Sequence, residues 1–131
     1  MKKFALLVLI SAVLGFLNFL INPARPVLGI AADELTIEMV STLSKSILIV
    51  DARSVTDFER SHVQGAINLS EEHFDEQISA FLDAWEPNST IIVYCSSGAC
   101  NSSRNIANRL REEFEIKNVF ILKGDWQEWK R

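Results

Sequence analysis

Apolar positions change their period several times along this chain, and the changes outline an alternation of strands and helices. "ILIVDA" (47–52) and "TIIVYC" (90–95) are continuous apolar runs rich in β-branched residues, the pattern of strands buried on both faces. "NVFILKG" (118–124) predicts a third such strand and "GAINLS" (65–70) a shorter one. Between them the period lengthens. In "EEHFDEQISAFLDAW" (71–85), Phe74, Ile78, Phe81, Leu82 and Trp85 recur three and four apart, which predicts an amphipathic helix that buries them. "SSRNIANRLREEF" (102–114) sets Ile106, Ala107, Leu110 and Phe114 on one face in the same way. "SVTDFERS" predicts a short helix with Ser54 or Thr56 near its start. "ELTIEM" reads as a weak strand, "EMVSTLSK" as a short helix and "DWQEWK" as a short closing helix. Strands that alternate with helices and lack alternating polarity imply a parallel sheet covered on both faces. The expectation is one α/β sandwich over residues 34–131.

The N-terminus follows a different pattern. Lys2 and Lys3 precede an 18-residue run, Phe4 to Ile21, interrupted only by Ser11 and Asn18. As a helix it is about 27 Å long, close to the hydrocarbon thickness of a bilayer. It has no polar face, which a soluble core helix would show. Residues 1–22 therefore read as a single transmembrane anchor, and 23–33 as a linker in which Pro23 and Pro26 stop the helix. A cleaved signal is the other reading, but the small residues of "GIAAD" (29–33) are separated from the apolar run by "NPARPV". With Lys2 and Lys3 held in the cytoplasm, the remainder faces outward, to the periplasmic side of a bacterial inner membrane.

Charge narrows the partners. Of 13 basic residues, 11 remain once Lys2 and Lys3 are set aside, against 17 acidic ones, and no basic cluster stands among them. Nucleic acid and anionic headgroups are poor partners for such a surface. The membrane is met through residues 4–21, and a membrane protein is a possible partner. Export also places both cysteines where a disulfide can persist.

Those two cysteines lie together in "VYCSSGACNSSR" (93–104), where the chain turns from a strand end into a helix. Such a turn aims several backbone N–H groups at one spot, Gly98 permits a close backbone approach, and the following helix adds its free N–H groups and the positive end of its dipole. An anion cradle with a sulfur at its lip results. A Cys95 thiolate there is stabilised and nucleophilic, and a Cys95 persulfide, also an anion, is held in the same way. The plainer reading is a small buried hydrophobe at a strand end.

Three blocks, "VDARSVTDFERSHVQGAINL" (50–69), "IIVYCSSGAC" (91–100) and "NVFILKGDWQEW" (118–129), together resemble a single rhodanese-like domain, and the resemblance covers residues 34–131. It implies a sulfurtransferase or persulfide carrier that needs no cofactor and no metal, takes sulfur from a small sulfane-sulfur donor and passes it to a thiol acceptor. By the same resemblance Cys95 is the sulfur-carrying cysteine, residues 96–100 form the amide-lined loop, and Asp51, Arg53, His62 and Gly65 are mainly architectural. The family often carries a basic residue five positions after the cysteine, which helps hold anionic donors such as thiosulfate. Here that position is Cys100, so thiosulfate is expected to be a poor donor. Ser61 stands where a Gly usually precedes His62, and the stretch before the helix body is about two residues longer than in the commonest pattern of the family. The two-cysteine pattern resembles a membrane-tied subgroup.

Four roles for Cys100 remain open: a resolving thiol for Cys95, a resting disulfide that masks it, a metal ligand, or a filler. No third ligand lies nearby, which argues against metal. Two further functions stay in view, a periplasmic thiol–disulfide protein using Cys95 and Cys100, and an inactive rhodanese-fold binding module. Substrate-binding candidates are Ser96, Ser97, Gly98 and Ala99 of the loop, Arg104 on the first helical turn and Arg53 from another strand end. A phosphatase reading fails on spacing, because position 101 is Asn and the first arginine after Cys95 is Arg104. His62 reads as structural, His73 as an exposed helix-turn residue, and Trp126 and Trp129 as packing residues, Trp126 with a possible place beside Cys95.

Overall fold

A computed structural model describes residues 32–96 and 100–130 of the chain. Five parallel strands form one sheet: β1 (Glu34–Leu35), β2 (Ile47–Asp51), β3 (Ile67–Asn68), β4 (Thr90–Tyr94) and β5 (Val119–Leu122), in the order β1-β5-β4-β2-β3. The two longest strands lie side by side near the middle, paired from Ile47↔Thr90 to Asp51↔Tyr94. All five residues of β4 are buried, as its unbroken apolar run requires.

Side chains of these strands alternate between two cores, the period-two consequence of the pleat. Val50, Ile91, Val93, Val119 and Ile121 point to one face. There they meet Phe74 and Phe81 of α3 (Phe74–Ala84) and Ile106, Ala107 and Leu110 of α4 (Asn101–Glu113). Ile92, Tyr94 and Leu122 point to the other face. That layer is closed by Val40 of α1 (Ile37–Ser41) and by Trp126 and Trp129 of a closing 3-10 helix, Trp126–Lys130. Each fully buried Leu, Ile or Phe contributes about 1.5–3 kcal/mol by leaving water. The short α2 (Val55–Arg60) starts at Ser54, whose Oγ accepts the Asp57 N–H at 3.2 Å.

Two local expectations are corrected. Leu82 is among the exposed large apolar residues rather than in the core. Phe74, Ile78, Phe81 and Trp85 already form the stripe that meets the sheet, and Leu82 lies about 100° round the helix from Phe81, at its margin. The strand read at 65–70 pairs only at Ile67 and Asn68. Leu69 N–H still donates to the Asp51 carbonyl, but the Arg53 carbonyl, the acceptor of the next rung, is taken by the Asn68 side chain at 3.0 Å.

None of the described helices is long and apolar enough to cross a membrane. The anchor read at 1–22 and the linker as far as residue 31 lie outside the described residues.

Candidate functional site

The candidate site lies at the carboxyl ends of β2 and β4, the usual place for a site in a parallel sheet. Cys95 directly follows β4 and is 6 % exposed. It is disulfide-bonded to Cys100, with the two Cα atoms 6.1 Å apart, inside the range a disulfide spans. Cys100 is the N-cap of α4, extended at φ −75°, and its side chain makes no capping hydrogen bond. The sulfur pair therefore sits at the positive end of a 13-residue helix, where a thiolate released from it is stabilised. Ser96 is exposed, while Ser97, Gly98 and Ala99 lie outside the described residues.

Behind the sulfur pair is a buried polar cluster centred on Asp51, which is fully enclosed at the last position of β2. Its carboxylate accepts from the Arg53 backbone N–H at 2.9 Å, from Arg53 Nε and Nη2, the latter at 2.6 Å, and from the Tyr94 hydroxyl at 2.6 Å. Tyr94 Oη accepts in turn from Val63 N–H at 3.1 Å. Arg53 also donates to the Ser61 carbonyl at 2.5 Å, and its guanidinium lies 4.3 Å from the Trp126 ring centre. Trp126 stacks on Tyr94, with ring centres 5.4 Å apart. One carboxylate thus ties the ends of two central strands to the α2–β3 connection. It fixes Tyr94, the residue next to Cys95.

Burial, and then the bond to Asp51, push the Tyr94 phenol well above its ordinary value near 10. A phenol whose folded value is raised contributes stability that is complete below the unfolded value and is lost as pH rises beyond it. Chemical denaturation of the wild type followed from pH 9 upward should show stability falling above about pH 10. Tyr94→Phe should flatten that fall, and an unchanged slope would mean that Tyr94 does not carry it.

The two cationic candidates are both held by carboxylates. Arg53 is committed to Asp51, and its burial works against the charge while Asp51 more than restores it, leaving the guanidinium value raised. Arg104 pairs with Asp33 at 3.2 Å and Glu34 at 2.9 Å, beside Arg111–Asp33 and Lys123–Glu34. His62 stacks on Phe58 with ring centres 3.9 Å apart and donates from Nδ1 to the Phe58 carbonyl at 2.7 Å, a packing role. His73 caps α3 and is paired with Glu76 at 3.3 Å. Trp126 packs against Tyr94 and Arg53 in the layer opposite α3 and α4.

Tyr94 is the member of the cluster that sequence reasoning missed. A signal existed: a tyrosine closing a buried strand needs a partner for its hydroxyl, and Asp51 closes the neighbouring strand.

Comparison with known proteins gives a consistent picture. The rhodanese-like domain model matches residues 36–131. The chain is 32 % identical over 88 residues to the thiosulfate sulfurtransferase GlpE of Shewanella oneidensis, covering 67 % of this chain and 80 % of that one. It is 35 % identical over 89 residues to the GlpE protein of Haemophilus influenzae, covering 68 % and 78 %. Among solved structures, the BH2092 protein of Bacillus halodurans aligns with a TM-score of 0.59 at 23 % identity, covering 74 % of this chain and 70 % of that one. The single-domain sulfurtransferase RDL2 of Saccharomyces cerevisiae aligns at 0.51 and 18 % identity, covering 76 % and 89 %, a likeness of fold. The chain belongs to the rhodanese-like domain family.

Proposed function

We propose that this rhodanese-like sulfurtransferase carries sulfur on Cys95. The observation that supports the reading is the position of Cys95, a shielded sulfur at the end of β4 against the N-terminus of α4. From the reduced pair, the Cys95 thiolate attacks the outer sulfur of a persulfide donor, R–S–SH. The donor's S–S bond breaks, R–S⁻ leaves, and Cys95–S–SH forms. An acceptor thiolate then takes the outer sulfur and Cys95 departs as the thiolate.

The test uses the full chain in mild detergent, reduced and then freed of reductant, with a small-molecule persulfide as donor. Intact mass should show one sulfur atom added to Cys100→Ser and none to Cys95→Ser. Uptake by Cys95→Ser, or by neither form, would overturn the assignment. The closed Cys95–Cys100 pair also supports a thiol–disulfide protein. That reading requires Cys100→Ser to take up no sulfur.

Donor choice follows from charge. The position five after Cys95 is a cysteine, and Arg53 and Arg104 are engaged by carboxylates. A missing charge-assisted contact to a dianion is worth about tenfold. Turnover measured as kcat/KM should therefore be at least about tenfold lower with thiosulfate than with the persulfide. Equal values would show that another cation serves the site. In this reading, residues 4–21 hold the domain on the outer side of a bacterial inner membrane as a single-pass anchor, 23–33 serve as the tether, and a membrane protein is a candidate partner. The apolar run and the two lysines before it support that placement.

A further inference from the structure

We infer that Cys100 resolves the Cys95 persulfide, so that the sulfur leaves as hydrosulfide and a dithiol is the reductant that reopens the pair. The inference rests on Cys95 being the sulfur carrier and goes beyond it to the product and the partner.

Three features support it. The backbone already holds Cys95 and Cys100 at a separation where their sulfurs bond, 6.1 Å between Cα atoms. When Cys95 is loaded, its inner sulfur is still the atom within reach of Cys100. Cys100 also occupies the N-cap of α4, where its side chain makes no capping hydrogen bond and the helix dipole favours its thiolate. Finally, Cys95 is buried while Cys100 is partly exposed. An outside thiol meets Cys100 first.

The steps balance. Cys100–S⁻ attacks the inner sulfur of Cys95–S–SH, and a bond forms between the two cysteine sulfurs. The bond to the outer sulfur breaks, its electron pair leaves with that atom, and HS⁻ departs with the proton it carried. Hydrosulfide is a better leaving group than an alkyl thiolate because its conjugate acid is stronger. A dithiol then attacks the Cys100 sulfur, Cys95 leaves as the thiolate, and the second thiol of the partner releases Cys100. Overall, two electrons from the dithiol reduce the transferred sulfur to sulfide. The internal attack is unimolecular, and well-placed groups of this kind reach effective molarities of about 10⁵ M and above. Small thiols at millimolar concentration do not compete with it.

The experiment takes reduced full chain in mild detergent, free of reductant, and adds one equivalent of small-molecule persulfide. Sulfide and intact mass are followed together in wild type and Cys100→Ser, with Cys95→Ser as background. Wild type should release about one sulfide per chain and end two hydrogens lighter than the reduced protein. Cys100→Ser should keep the added sulfur and release sulfide at least about tenfold more slowly. Adding dithiothreitol together with excess persulfide should convert the single wild-type burst into steady release. A wild type that retains its sulfur as long as Cys100→Ser overturns the inference while leaving the carrier reading intact. A Cys100→Ser form that takes up no sulfur removes both. Uptake by that variant also reports that it is folded.

Discussion

Asp51→Ala is expected to lose about 3–5 kcal/mol of stability, the usual effect of removing one partner of a buried ion pair. Asp51 is wholly enclosed and the Arg53 side chain is 9 % exposed, so water does not replace what is removed. The guanidinium is left against Trp126 and the Ser61 carbonyl with its carboxylate gone, and the Tyr94 hydroxyl loses its acceptor. Urea denaturation at pH 7 measures the loss. A decrease below about 1 kcal/mol would mean that the cluster relaxes or hydrates, and that Asp51 does not hold the strand ends. Replacing Asp51 and Arg53 together by apolar residues of similar volume should recover much of the loss, because the unpaired charge goes too. That double variant separates the stranded guanidinium from the missing carboxylate.

The second large effect is on activity. Cys95→Ser should bring consumption of the persulfide donor down to the uncatalysed background. A serine hydroxyl has neither the acidity nor the polarisable sulfur to form and release the S–S bond. Stability must be kept apart from chemistry in this comparison. The disulfide closes a loop of sequence separation 5. The chain-entropy model assigns such a short loop about 2 kcal/mol. Both proteins should therefore be assayed with the wild-type pair reduced, so that neither carries the cross-link. Residual turnover above background under those conditions would point to Cys100 as an independent sulfur acceptor.

The order of elements was readable because each rests on a local rule. β4 has an unbroken apolar run, α3 has its three–four spacing, and α2 has Ser54 at its cap. Leu82 misled because the spacing rule admits neighbours on either side of a stripe, and only the width of the sheet beneath decides which are covered. The ladder at β3 stopped early because the Asn68 side chain captures the Arg53 carbonyl that the next rung would use. No strand pattern encodes that capture. At the site, Cys95 and Cys100 stood out by sequence proximity. The Asp51–Tyr94 contact joins residues 43 apart, and it becomes visible only once β2 and β4 are known to be paired in register. The partners of Arg104 were hidden for the same reason, since Asp33 and Glu34 lie some 70 residues earlier in the chain.

Both margins of the sheet are formed by strands of two residues, Glu34–Leu35 and Ile67–Asn68. An outer strand of five or six residues offers a row of free N–H and C=O groups on which another chain can add itself. Two residues offer almost no such row, and one margin is further occupied by the ion pairs of Glu34 with Arg104 and Lys123. Neighbouring copies therefore have little backbone to zip together. Encounters between this domain and other proteins fall to its side chains and loops, which can let go again quickly, as a protein that hands on its cargo must.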